Sequence, residues 1–190
     1  MNIEWINIES VSKELTDSFD SGDYTFNLFL KEKARTWQNA GESVTYIFAD
    51  KEEIENNNIT RVLGYVSINA TGLLYRKGDA NMYLSCAEIR MFAIDRRLRK
   101  AGDTTRKYSE QIFNLLLANL YYLATHEIGF KAIFLNANDT GKDLYLRNGF
   151  ADITEFIPPD EEDKIGLEGT TPLLLMINDD FMDIVFAGDI

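Results

Sequence analysis

In the stretch RRLRKAGDTT, residues 96–105, four of the first five side chains are basic and a glycine, Gly102, follows. A glycine-bearing turn that leads into a helix presents free backbone N–H groups, and the helix dipole favours negative charge there. Arg96, Arg97, Arg99, Lys100, Arg106 and Lys107 set six cations within twelve residues, with Asp95 and Asp103 the only acids beside them. Elsewhere 13 bases face 29 acids, and the whole chain carries a formal charge of -12. Such a local reversal of charge suits a small polyanion such as a phosphate. A solvated basic helix start is the plainer alternative. The turn has neither G-x-x-x-x-G-K-[ST] nor G-x-G-x-x-G, so it is neither a nucleotide-hydrolysing loop nor a dinucleotide fingerprint.

The second candidate for chemistry is Glu88, an acid in the apolar run LSCAEIRMFAID. A carboxylate in such a strand is costly to bury without a partner. That cost singles Glu88 out; as a structural group it would face solvent or pair with Arg90 on the same strand face. Cys86 is the only cysteine, so no internal disulfide forms, and a small core residue is the expected role. His126 is the only histidine and lies near a helix C-terminus, where the dipole favours a cation; no catalytic role is assigned to it. With one of each, no His/Cys metal site is expected.

The elements that must position these groups are legible in outline. The chain has 190 residues, 45% hydrophobic and 26% charged, as expected of one soluble domain. IEWINIE reads as a strand, and residues 10–40 as two helical pieces broken near DSFDSGD. Phe26, Leu30 and Ala34 recur at helical spacing. SVTYIFAD is a strand, EIENNN a turn, and RVLGYVSINATGLLYR and LSCAEIRMFAID are strands. A helix is expected over 104–128, with Ile112, Leu115, Leu116, Leu120 and Leu123 as its stripe. FKAIFLNAN is a strand, DTGKDLYLRNG a helix stopped by Gly149, FADITEFI a strand and TTPLLLMIN a last strand. A strand-helix-strand crossover from 82 to 138 predicts one parallel pair. Residues 158–169 form an acidic loop. The apolar tail 179–190 is expected to dock, with a second copy as one candidate.

Two motifs bring in a resemblance. AEIRMFAIDRRLRKAGDT resembles the central strand and cofactor loop of the GNAT superfamily of N-acetyltransferases, whose loop reads Q/R-x-x-G-x-G/A. NDTGKDLYLRNGF resembles that superfamily's later motif, with Asn138, Gly141, Leu144, Tyr145, Gly149 and Phe150 in the matching places. One long helix and one strand separate the two, as the superfamily requires. The resemblance is best over 60–157. FLKEKARTWQNAGESVTYIFAD and TTPLLLMI resemble the opening and closing segments of a branch that includes toxins acetylating aminoacyl-tRNA.

The resemblance implies an α/β (mixed α+β) fold over 1–190: a central, mostly antiparallel sheet with one splayed parallel strand pair and helices on both faces. It implies acetyl-coenzyme A as cosubstrate and no metal. The pyrophosphate would sit on Arg99, Lys100, Ala101, Gly102, Asp103, Thr104 and Thr105. The pantetheine arm would pair with the backbone of Met91, Phe92, Ala93 and Ile94. Tyr145 would donate a proton to the departing thiolate, against the alternative of a tyrosine packed on the sheet. Glu88 would accept the amine proton through water, and Asn138 would bond the arm or order its own turn. Two positions depart from the pattern. Thr104 puts a branched, hydroxyl-bearing side chain where the superfamily has Gly or Ala, and Asp103 offers a carboxylate that would compete for the same amides.

The expected activity is therefore acetyl transfer to a primary amine. The acidic surface favours a small-molecule or peptide amine and argues against nucleic acid and membranes as partners. Two alternatives stand beside it: a toxin acetylating aminoacyl-tRNA, and a GNAT-fold protein that binds a partner without catalysing. The start MNIEWINIES shows no signal peptide, and a cytoplasmic location is expected.

Overall fold

The computed structural model describes residues 2–77, 79–99, 103–158 and 169–178. The acidic loop beyond residue 158, the C-terminal tail, and Lys100, Ala101 and Gly102 of the basic turn lie outside the described residues. The strands are β1 Ile3–Asn7, β2 Val44–Asp50, β3 Gly64–Lys77, β4 Ala80–Ile94, β5 Ala132–Ala137, β6 Ala151–Asp152 and β7 Thr171–Met176. The helices are α1 Lys13–Asp17, α2 Tyr24–Leu28, α3 Ala34–Asn39, α4 Lys51–Glu55, α5 Asp103–Tyr122 and α6 Asp139–Arg147. The strands form one mixed sheet in the order β1-β2-β3-β4-β5-β7-β6. Strands β1–β2, β2–β3, β5–β7 and β6–β7 pair antiparallel, and β4–β5 is the parallel pair that the long crossover through α5 predicts.

By packing, the chain divides into two compact units, Met1–Asn69 with Arg90–Leu116 and Ala70–Ile89 with Leu117–Ile190. The core of the first is rich in aromatics. Tyr65 is fully buried; it meets Phe19 edge-on at 5.4 Å and stacks on Phe29 at 6.0 Å, and its hydroxyl donates to the Phe26 carbonyl at 2.8 Å. A π-helical turn, Phe29–Lys33, joins α2 to α3 and shifts the phase of the apolar stripe. Leu30 and Ala34 are consequently buried, whereas Phe26 is only half-buried. In α5 the buried positions are Ile112, Phe113, Leu116, Leu117 and Leu120; Leu115 and Leu123 of the expected stripe are only half-buried.

Three segments differ from the expectation for local reasons. EIENNN is not wholly a turn, because α4 runs into it from Asp50, whose side chain caps the helix by accepting from Glu52 N at 3.0 Å. FADITEFI is a strand only over Ala151–Asp152. There the Asp152 Oδ1 accepts from Thr154 N at 3.0 Å and Thr154 Oγ1 at 2.6 Å, which turns the chain into a 3-10 turn at Thr154–Phe156. The long helix ends in a π-helical turn, Leu123–Glu127, in which His126 stacks on Tyr122 at 4.5 Å. Among the described residues no helix is long and apolar enough to cross a membrane.

The core of the second unit gathers Leu73, Cys86, Ala132, Phe134, Ile153 and Ile157. Cys86 is 2% exposed, and its thiol lies 3.4 Å from the Leu84 carbonyl. Burial, with a smaller contribution from the Glu88 carboxylate, pushes the thiol up from 9.0 to about 11. A thiol so raised is protonated at neutral pH, as suits a packing residue. Because the folded value lies above the unfolded one, this group's contribution to stability is intact below pH 9.0 and is lost as pH rises through about 11. Cys86→Ala is therefore expected to flatten the fall of Tm across that window, measured by thermal unfolding at stepped pH.

Candidate active site

Helix α6 places the candidate proton donor, and its sequence explains how. Asn138 caps the N-terminus: its Oδ1 accepts from Gly141 N at 2.9 Å, and its carbonyl accepts from Lys142 N at 3.0 Å. Of the two expectations for Asn138, the geometry shows the ordering of its own turn. Tyr145 follows Gly141 by four residues, so its ring leans back over that glycine. A methyl group on Gly141 would come within 3.2 Å of Tyr145 Cε2 and 3.3 Å of Asn138 Oδ1. The missing side chain thus makes the slot in which the ring lies.

The other end of α6 locks the same ring. Gly149 adopts φ 83°, its N–H donates to the Leu146 carbonyl at 3.2 Å, and Phe150 N donates to the Tyr145 carbonyl at 3.2 Å. These two bonds form a Schellman closure, and its accompanying hydrophobic contact is the edge-on meeting of Phe150 with Tyr145 at 5.8 Å. The spacing Gly141, Tyr145, Gly149 and Phe150 is therefore a device for fixing one side chain. Gly149→Ala forces a non-glycine residue into the left-handed region and is expected to cost about 1 kcal/mol, measurable by urea denaturation. Tyr145 itself is buried, and that burial pushes its phenol well above the ordinary tyrosine value, so it holds its proton through neutral and moderately alkaline pH.

Strand β4 carries the other expected residues. Its register with β5 pairs Cys86 with Ala132, Ala87 with Ile133 and Glu88 with Phe134, and stops there, although β4 runs on to Ile94 and β5 to Ala137. Beyond that point β5 stays paired on its other side, with Leu135, Asn136 and Ala137 opposite Leu173, Pro172 and Thr171. Glu88 is the last residue of the parallel register. It is half-buried and makes no ion pair among the described residues. Arg90, the alternative partner for Glu88, lies instead over the Trp37 ring, 4.7 Å from its centroid. Met91 and Phe92 are half-buried and Ala93 and Ile94 buried. Phe92 is wedged between Phe48 at 6.4 Å and Phe113 at 5.6 Å.

The basic turn is less free than its composition suggests. Arg96 pairs with Asp20 at 2.6 Å, and its N–H donates to the Asp20 carbonyl at 2.8 Å. Arg97 wraps the Asp95 carboxylate, donating from Nε at 2.9 Å and from its backbone N–H at 2.8 Å. Two of the six cations are thus committed to carboxylates at a 3-10 turn, Arg96–Arg99. Asp20 is far away in the sequence, and no local signal marked it. Asp103 opens α5, with Thr104 and Thr105 in its first turn, so this stretch does enter a helix N-terminus as expected. Among the described residues no group of His, Cys, Asp and Glu is placed to hold a metal ion.

No protein-family model and no curated protein matches the sequence. Solved structures do. A bacterial toxin superposes with a TM-score of 0.70 at 15% identity, covering 98% of this chain and 95% of its own. A tyrosine-to-phenylalanine mutant of KacT gives 0.68 at 16% identity, covering 97% and 98%. A tyrosine-to-phenylalanine mutant of the toxin AtaT gives 0.70 at 15% identity, covering 97% and 94%; AtaT complexed with acetyl-methionyl-tRNAfMet, and the AtaT mutant bound to the C-terminus of the antitoxin AtaR and acetyl-CoA, are also similar. At such identity the likeness establishes the fold, and it extends over nearly the whole chain. The parallel β4–β5 pair in a mostly antiparallel sheet, with α5 between those strands in the chain and α6 after them, is a GNAT-like fold, shared with the toxins AtaT and KacT.

Proposed function

We propose that this protein is an acetyl-CoA-dependent N-acetyltransferase whose acceptor is the α-amine of an aminoacyl-tRNA. Two observations carry the chemistry: a buried Tyr145 whose phenol is pushed up and which is locked at both ends of α6, and a β4–β5 register that ends at Glu88. The likeness to AtaT bound to acetyl-methionyl-tRNAfMet supports the acceptor.

In this reading the backbone of Met91, Phe92, Ala93 and Ile94 binds the pantetheine arm, and the turn from Arg99 to Thr105 binds the pyrophosphate, with Arg96 and Arg97 holding the turn rather than the phosphates. Bound acetyl-CoA supplies the thioester. Glu88 takes a proton from the ammonium through water, so that a nitrogen lone pair is available. As the new C–N bond formed and the C–S bond broke, Tyr145 would give its proton to the departing sulfur, and the second proton, shed by the nitrogen as it becomes an amide, would pass through water to restore the phenol. Asn138 and Gly141 hold the tyrosine ring in its slot.

The net charge of -12 favours a second acceptor class, a small cationic amine. Radiolabelled acetyl-CoA offered with methionyl-tRNA or with spermidine separates the two. Label is expected on the methionyl-tRNA, released as N-acetylmethionine on mild base treatment. Label on spermidine alone would overturn the acceptor. No label on either, with no thermal shift at millimolar acetyl-CoA, would overturn the enzyme; a binding protein gains about 2.7 kcal/mol at a hundredfold excess over Kd.

A further inference from the structure

The aromatic core of the first unit reaches the surface along one line. Phe29, 2% exposed, stacks on the buried Tyr65 and meets Trp37 edge-on at 5.3 Å. Trp37 is half-buried, and the exposed Arg90 lies over its ring at 4.7 Å. The guanidinium therefore rests on a ladder of rings rooted in the core. Three other arginines of the same unit are already occupied: Arg35 pairs with Glu9, Arg96 with Asp20 and Arg97 with Asp95. Among the described residues no carboxylate pairs with Arg90. In a chain with 31 acids and 19 bases, an exposed arginine oriented by an indole and left unneutralised is a specific feature.

A guanidinium that covers an aromatic face keeps its edge N–H donors for a planar or tetrahedral anion, and a fork fixed in advance loses little entropy on binding. Phosphate accepts such a fork through two oxygens. Arg90 also stands two residues after Glu88 on β4, about 7 Å along the strand. We infer that Arg90, seated on Trp37, is a phosphate-binding subsite for the acceptor, taking a phosphodiester of the RNA acceptor end. The inference rests on the acceptor proposed above.

The test combines binding and turnover. Arg90→Ala is expected to weaken retention of uncharged tRNA in a filter-binding assay about tenfold. It should raise KM for methionyl-tRNA by a similar factor and leave KM for acetyl-CoA unchanged. The slope of log K against log salt should fall by about one, and Arg90→Lys, which keeps the charge but not the flat fork, should recover only part of the affinity. Where Arg90→Ala lowers Tm, Arg90→Gln replaces it. Wild-type affinity for tRNA in the Ala or Gln variant would overturn the inference, as would a wild-type protein that binds no tRNA. A wild type that binds tRNA without acetylating it defeats the acetyl-transfer reading alone, and binding in the variants still decides the role of Arg90.

Discussion

Tyr145→Phe is expected to lower kcat about a hundredfold while KM for acetyl-CoA and Tm stay close to those of the wild type. A positioned general acid contributes roughly 10²–10⁴ in rate, and the lower end suits a thiolate that departs readily without help. The substitution keeps the ring that lies in the Gly141 slot and meets Phe150, so the closure of α6 survives. The hydroxyl, and with it the transferable proton, is removed. Because burial raises the phenol above the ordinary tyrosine value of about 10, the wild-type rate should show no alkaline limb from this group below that pH. Steady-state kinetics with free-thiol detection measures both. An unchanged kcat would remove Tyr145 from the chemistry and leave it as packing.

Arg97→Ala should destabilise the fold by about 3 kcal/mol, whereas Arg96→Ala should cost less than about 1 kcal/mol. The two arginines are adjacent and both are half-exposed, but their partners differ. The Asp95 side chain is 3% exposed and that of Asp20 is 32% exposed. Removing Arg97 strands a carboxylate that water cannot reach, with its own turn's backbone N–H as a remaining donor. Removing Arg96 returns Asp20 to solvent, and Asp20 keeps the Gly22 N–H and the Asn27 amide as donors. Urea denaturation of the two variants side by side gives the comparison. Equal losses would mean that the Asp95 carboxylate is reached by water when its partner is gone.

The parts of this architecture readable in advance are those written locally. The cap at Asn138, the stop at Gly149 and the four-residue step from Gly141 to Tyr145 are all encoded within one helix and its flanks, so the motif could be recognised and its role reasoned. The parallel pairing of β4 with β5 followed from a crossover long enough to need a helix. What escaped was written at a distance or in small shifts of register. Nothing near Arg96 marked Asp20 as its partner, so counting cations overstated what the turn can offer an anion. The π-helical turn Phe29–Lys33 has no pattern that separates it from ordinary helix, yet it sets which residues of α2 and α3 reach the core. Alternation placed Glu88 and Arg90 on one face, but Trp37, from a helix, claimed the arginine. Net charge weighs against the nucleic-acid acceptor proposed above, but it averages over the whole surface, and a single guanidinium resting on an indole disappears in that average.

The contact between Arg90 and Trp37 also gives the chain an optical reporter of its own. Of its two tryptophans, Trp5 is stacked on Tyr46 at 4.1 Å, in the pairing of β1 with β2. Among the described residues, only Trp37 has a cation resting on its π face. An anion arriving at that guanidinium changes the field across the indole, so the ultraviolet emission of unlabelled protein should follow occupancy directly, with Arg90→Gln as the blank.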